Sequence, residues 1–355
     1  MTRMQKIIAQ AVLKPGEAIL LSKPSNIFYA SGYTGEGLAL IADGLNAIVT
    51  DFRYTEQAGR QAPAFKAYEI KTGESHAHLA HTILKDHGMS AVRFEADQVT
   101  VADFEALKRD MPGIAFSPLD GAAEKVRRIK EPSEIALIEQ ACAISVAAFE
   151  KVLGIVREGM TETDLRIALD FEMLKAGGEG LAFDTIVASG ENGSLCHAIP
   201  GPRKLRKGDM ITLDFGAKKG GYCADMTRTI ALGEPSPEMR KIYAVVLRAQ
   251  EEAQGALHAG LRGDEVDKIA RDIIYQAGYE GCFGHGLGHS VGIDIHENPR
   301  LSMTCHDVLE ENVTMTVEPG VYVPGLGGVR IENTCVIGKT SSRTLVHAQK
   351  ELLIL

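Results

Sequence analysis

Tryptophan is missing altogether, and aromatic residues make up only 6% of the chain. Any aromatic wall in a binding pocket must therefore be Phe or Tyr. No CxxC pair occurs among the six scattered cysteines, Cys142, Cys196, Cys223, Cys282, Cys305 and Cys335. That argues against a structural zinc site and fits a reduced, cytoplasmic protein. No apolar run approaches the ~20 residues a membrane span needs. The N-terminus, MTRMQKIIAQAVL, lacks the long apolar core and small-residue cleavage site of a signal peptide, so none is read. Positive charge is in deficit: 38 Lys and Arg stand against 47 Asp and Glu, a net charge of −9. This argues against nucleic acid or an anionic membrane as partner, since both demand a basic surface. The one dense basic run, RKLRK from Arg203 to Lys207, reads as a solvated loop.

What is present fits an ordinary globular protein of two domains: 355 residues, 45% hydrophobic and 24% charged. The first domain alternates short apolar runs with helical patterns. Ala18–Ser22, Leu38–Ala42, Ala47–Asp51, Val92–Phe94 and Ile114–Phe116 read as strands. Thr55–Ala62, His76–His87 and Ala102–Arg109 read as helices, an α/β arrangement. His76, His78 and His81 read as a polar helix face, because no Cys or carboxylate joins them at ligand spacing. The polar stretch Asp120–Pro132 is a junction, and the boundary is placed between residues 121 and 122. Beyond it, Pro132 opens a helix to about Val156, and Thr161 caps a second that Gly177 stops.

The stretch MITLDFGAKKGGYCADMTRTI, Met210–Ile230, alternates about Lys218-Lys219-Gly220-Gly221, the pattern of a hairpin. A turn centred between Lys219 and Gly220 sets Asp214 opposite Asp225. Two facing carboxylates repel unless something compensates, and the simplest compensation is a cation.

The helix pair then recurs. Ser236-Pro237 opens a helix to about Ala259, and Asp264 begins another that Gly278 stops. A single gap-free shift takes Gly159 to Gly260, Gly177 to Gly278, Glu179 to Glu280 and Gly180 to Gly281. A true repeat must also end in a hairpin carrying two acids. Val313–Val323 and Gly328–Ile337 supply it, with Glu318 and Glu332 symmetric about Gly325. A pseudo-twofold arrangement brings four acids to one central sheet. Between the hairpins lie His285, His289 and His296, in GHGLGH and SVGIDIHENP. Four acids and an imidazole suit two divalent metals bridged by carboxylates. The oxygen-rich set favours Mn or Co, with Zn and Fe as alternatives. Such a pair lowers the pKa of water and serves hydrolysis. The Asp214-Phe215-Gly216 triplet lacks every other kinase motif, and GHGLGH is not GxGxxG.

LDFGAKKGGYCADMTRT, GHGLGHSVGIDIHENP, TVEPGVYV and GVRIEN together resemble the proline-specific metallopeptidases of the pita-bread fold. That group includes Xaa-Pro aminopeptidase, Xaa-Pro dipeptidase (prolidase), methionine aminopeptidase and creatinase. The likeness covers residues 121–355 and reaches into the first domain through SNIFYASGYTG and TDFRYTEQA. It implies an α/β, creatinase-like N-terminal domain, residues 1–121, before an α+β pita-bread catalytic domain, residues 122–355. The second domain would be a pseudo-twofold helix-helix-hairpin repeat. The resemblance implies that Asp214 chelates one metal, that Asp225 and Glu332 bridge two, and that His289 and Glu318 hold the other. Glu318 matches a proton shuttle, and His296 a histidine that contacts the substrate carbonyl. His197 and His285 match cleft histidines, and His197 is counted with Glu318 and His296 as catalytic. Arg330 and Tyr322 match positions beside the acids, with Arg330 counted among substrate contacts. Asn333, Cys196 and Cys223 depart from the usual pattern without removing a ligand.

The expected activity is Xaa-Pro aminopeptidase, acting on short peptides with proline second. The alternatives are prolidase, a catalytically silent peptide-binding protein on the same fold, and a non-peptidase amidohydrolase. Methionine aminopeptidase usually lacks the N-terminal domain, and creatinase works without metal. Relatives are often homodimers, so a homodimer is expected.

Overall fold

The segments EAILL, LALIA and LNAIVT are apolar at successive positions, so both faces of the sheet they form must be covered. The computed structural model describes all 355 residues, in two units that divide between Arg127 and Arg128. In the first unit these three segments are the strands Glu17–Leu21, Leu38–Ala42 and Leu45–Thr50, antiparallel to one another. Lys66–Glu69 adds in parallel at one side, and Ala91–Phe94 and Ala115–Pro118 at the other, completing six strands. Ile19, Leu20, Leu40, Ile41, Ile48 and Val49 are fully buried. Helices occupy Arg3–Ala11, Pro24–Ser31, Thr55–Gln61, His76–Asp86 and Val101–Asp110.

Several elements escape the sequence reading. The stretch examined for a signal peptide holds the helix Arg3–Ala11, closed by a capping box between Thr2 and Gln5. The polar junction after Asp120 holds a further helix, Ala122–Arg128. Arg127 there donates to Ser25 and Asn26, which keeps most of this helix with the first unit.

The second unit shows the repeat. Helices Pro132–Leu153 and Glu162–Lys175 precede strands Ile186–Ser189, Met210–Phe215 and Met226–Ala231, paired antiparallel. Helices Pro237–Ala256 and Gly263–Gln276 precede Gly288–Ser290, Thr314–Val317 and Asn333–Ile337, likewise antiparallel. Thr161 caps its helix as expected, accepting from the Asp164 amide, and Ser236 accepts from Met239. Hydrogen bonds join the halves: the Glu332 amide donates to the Thr227 carbonyl (3.1 Å), and Thr334 Oγ1 to the Asp225 carbonyl (2.8 Å). No helix is long and apolar enough to cross a membrane.

Two expectations need correction. The first hairpin turns one position later than expected, because Lys219 pairs with Tyr222 and leaves Gly220-Gly221 as the loop. Both glycines have positive φ, +55° and +79°, the backbone a type I′ turn requires. Asp214 therefore faces Thr227, not Asp225. The partner changes by two positions, so the face is conserved and Asp225 becomes a diagonal neighbour. Nor is the basic run a free loop. Leu205 is fully buried, and Arg203 Nη1 donates to Asp209 at 2.6 Å. The second hairpin keeps the expected register, with Gly320 opposite Arg330 on one side of the acids and Val317 opposite Asn333 on the other. Glu318 thus faces Glu332.

Between the first pair of acids the strands come unusually close. A Cβ on Gly216 would lie 1.9 Å from the Ala224 carbonyl oxygen. Gly216→Ala is expected to destabilise the protein by about 1–3 kcal/mol, as overpacking does, and to lower its metal content. Gly255→Ala, whose methyl meets open space, should lower neither. Calorimetry and metal analysis of both variants check this, and equal midpoints would refute it.

Candidate metal centre

Three of the four acids, Asp225, Glu318 and Glu332, stand at breaks in the ladders, where a side chain can turn without upsetting strand alternation. Asp214 lies inside the strand Met210–Phe215, paired with Thr227 and Ile186, and Asp225 precedes Met226–Ala231. Glu318 and Glu332 lie between the paired segments of the second hairpin. One oxygen each from Asp214, Asp225 and Glu332 lie within 4.8 Å of one another. His289, on Gly288–Ser290, points Nε2 at Asp225 Oδ2 (3.4 Å) and Glu318 Oε1 (3.3 Å).

Asp214, Glu332, Glu318 and His289 are each fixed from behind. Arg330 Nη2 donates to Asp214 Oδ2 at 2.5 Å, and Thr227 Oγ1 to Glu332 Oε2 at 2.7 Å. Thr316 Oγ1 donates to Glu318 Oε1 at 3.1 Å. His289 Nδ1 meets the Ser290 carbonyl at 3.1 Å, which assigns the proton to Nδ1 and leaves a lone pair on Nε2.

Burial, then repulsion from the neighbouring acids, raises Asp225 and Glu332 well above the usual carboxylate range. Glu318 rises to about 7, mainly through burial. Burial, followed by His296, takes His289 down to about 3, so its ring is neutral. Asp214 Oδ1 and Glu332 Oε1 are buried without a hydrogen-bond partner. Orphaned carboxylate oxygens and an imidazole lone pair aimed at anions are unfavourable alone and suited to divalent cations. These residues therefore fit a metal pair.

The centre floors a cavity of about 480 Å³. His197, His285, His296, Cys196, Arg300 and Ser302 line it, with Phe183, Ile186 and Ile295 as apolar wall. The His296 ring stands edge-on to His289, centroids 4.5 Å apart. Burial lowers the His296 pKa and takes His285 down to about 4. His285 lines the cavity, but both its nitrogens are engaged, with Tyr322 Oη (2.9 Å) and the Gly286 carbonyl (2.8 Å). Arg330 is similarly committed. It lines the cavity too, and its donors go to Asp214, Thr227, Tyr322 and the Cys196 carbonyl. Asn333 is engaged with Arg228 and Gln254.

Thr227, Thr316 and Arg300 were not singled out in the sequence. Thr227 and Thr316 lie two residues from Asp225 and Glu318, so alternation alone puts each on its acid's face. Arg300 sits on a strand, Glu297–Leu301, that polar composition conceals, where it pairs with His289.

Residues 136–339 match the model of metallopeptidase family M24, and residues 3–129 match the creatinase/prolidase N-terminal domain. The chain belongs to metallopeptidase family M24. An Xaa-Pro dipeptidase of Pyrococcus furiosus is 33% identical over 352 residues, 99% of each chain. Among solved structures, an Xaa-Pro dipeptidase from Bacillus anthracis superposes with a TM-score of 0.94 at 37% identity, covering 99% of both chains. An X-Pro aminopeptidase from Thermotoga maritima gives 0.91 at 34% identity, over 98% of this chain and 100% of that one. The fold is thus the pita-bread fold of M24 peptidases, preceded by their N-terminal domain.

Raised carboxyl pKa values favour the proton-bound centre in the metal-free fold. That fold should lose stability as pH climbs above the unfolded carboxyl range, ~4, and through the raised values. Metal binding must expel these protons. The metal-free melting midpoint is expected to fall between about pH 5 and about pH 8, with proton release on loading seen by calorimetry in different buffers. A metal-free midpoint that rises over this window would contradict the assignment.

Proposed function

We propose that this M24 peptidase is an Xaa-Pro dipeptidase using two divalent metals held by Asp214, Asp225, His289, Glu318 and Glu332. The sequence resemblance points first to the aminopeptidase. The dipeptidase reading is preferred because of Arg300, whose guanidinium lines the cleft and makes no hydrogen bond or ion pair with the protein. Burial lowers its pKa from the ordinary value, yet it stays charged at neutral pH. An unpaired, half-buried cation beside the reacting centre is suited to the carboxylate of a free C-terminus. In Ala-Pro that carboxylate is one residue from the scissile bond; in a longer peptide it moves away. The dipeptidase names of the Pyrococcus furiosus and Bacillus anthracis relatives support the same choice.

Bound metals would polarise the scissile carbonyl and make a water acidic enough to attack at neutral pH. Mn or Co suits this donor set better than Zn or Fe. The protein's part is positioning and proton transfer. Neutral His296 donates to the carbonyl oxygen as charge develops there. Glu318 carries the proton given up by the attacking water to the proline nitrogen, which leaves as an amine. His197, exposed at the cleft, meets the substrate, and Arg330 holds Asp214 in place. We further read the protein as cytoplasmic, in keeping with six unpaired cysteines, and as a homodimer, which sedimentation tests.

Asp225→Ala and Glu318→Ala are expected to abolish Ala-Pro hydrolysis while circular dichroism stays that of the wild type. Full activity in either metal-loaded variant would remove its assigned role. Arg300→Met should lower kcat/KM for Ala-Pro by about tenfold to a hundredfold, the worth of a charge-assisted hydrogen bond, and leave Ala-Pro-amide unaffected. Wild-type protein that cleaves Ala-Pro-Ala as well as Ala-Pro would favour the aminopeptidase instead.

A further inference from the structure

His197 reaches the cleft on a segment that cannot hold itself in place. Between Ser189 and Gly201 there are two short turns, Gly190–Ser194 and Leu195–Ala198, and no strand. Its larger apolar side chains face water, Leu195 at 59% and Ile199 at 91% exposure. Burial of its own side chains therefore does not anchor it.

The anchor is Glu162, at the first position of the helix Glu162–Lys175. An acid there gains from the helix dipole while exposed, but Glu162 is 1% exposed. Its Oε1 accepts from the Ser189 amide (2.8 Å) and hydroxyl (2.7 Å) and from Asn192 Nδ2 (3.1 Å). Its Oε2 accepts from Asn192 Nδ2 (3.2 Å) and the Gly201 amide (3.2 Å). One carboxylate thus grips the segment's entry, first turn and exit. Without it those donors lose their acceptor, at a cost well above that of an ordinary hydrogen bond.

The other side of the segment is held by missing side chains. A Cβ on Gly193 would stand 2.8 Å from the Gly328 nitrogen, and one on Gly328 only 2.0 Å from the Gly193 oxygen. Gly328 belongs to Gly327–Arg330, whose Arg330 donates both to Asp214 and to the Cys196 carbonyl. The segment therefore sits between a fixed helix end and the hairpin that carries part of the metal centre.

We infer that Glu162 is a positioning residue for the peptidase reaction, setting His197 against the substrate by gripping both ends of residues 189–201. The inference rests on the reading of His197 as a substrate contact. The experiment measures kcat and KM on Ala-Pro for metal-loaded Glu162→Ala, Glu162→Gln, His197→Ala and the Glu162→Ala/His197→Ala double variant. Metal content and hydrogen exchange over residues 190–201 are read alongside. Glu162→Ala should lower kcat/KM by up to about a hundredfold, the cost of ångström-scale misplacement, with metal content unchanged and faster exchange in the segment. Glu162→Gln, which keeps one acceptor oxygen for Ser189, should fall between. The double variant should be no worse than His197→Ala, because both changes act through one side chain. Losses that multiply, or full activity in Glu162→Ala beside a damaged His197→Ala, would overturn the inference alone. Full activity in His197→Ala would overturn the reading of His197 and the inference with it. Should Glu162→Ala not fold, Gly193→Ala disturbs the same segment with Glu162 intact. It must show the same lack of additivity with His197→Ala, and multiplying losses there would likewise overturn the inference.

Discussion

Four carboxylates share one enclosed space in this protein, and the crowding makes Asp225, Glu318 and Glu332 harder to ionise. Asp225 and Glu332 carry the penalty most clearly, through burial first and their neighbours' charge second. A fold selected for stability alone has no reason to gather such groups. The surrounding structure is arranged to tolerate it. Thr227, Thr316 and Arg330 each donate to one acid while leaving oxygens turned inward. Beneath them Arg228, 2% exposed, donates to the Glu332 carbonyl at 2.6 Å and to Asn333 Oδ1 at 2.9 Å. It fixes the backbone under Glu332 without neutralising the carboxylate itself.

The internal repeat is what makes this convergence geometrically cheap. Each half supplies two helices, a strand and a hairpin, and each hairpin delivers two acids. Hydrogen bonds between Thr227 and Glu332, and between Asp225 and Thr334, lay the hairpins side by side. The halves are not equivalent in use. Only the second brings a histidine to the acids themselves, His289, with His296 against it. The first contributes Asp214, Asp225 and, on a long connection, His197. A symmetric scaffold therefore carries an asymmetric cleft, as a reaction with distinct acyl and amine sides requires.

Much of the fold was legible in the residues. Thr161 and Ser236 announce helix starts because a side-chain oxygen before a helical pattern has one obvious use. The repeat and the second hairpin follow from glycine spacing and alternation. The first hairpin's register was misplaced by one turn position, since Lys219-Gly220 and Gly220-Gly221 both look like turns. Only the pair of positive φ values decides between them. The face of Asp214 and Asp225 survived because period-two alternation is blind to that shift. The local signal for helix Arg3–Ala11 is the capping box of Thr2 and Gln5. Arg300 and Glu162 were invisible for a deeper reason. Their importance lies in what they touch or fail to touch across the fold, and no local pattern records that.

These acids and His289 are suited to a pair of cations. Anomalous diffraction from a crystal grown with manganese tests this directly. Two peaks are expected: one beside Asp214, Asp225 and Glu332, the other beside Asp225, His289, Glu318 and Glu332. A single peak, or manganese bound elsewhere with the acids hydrogen-bonded to one another, would contradict this.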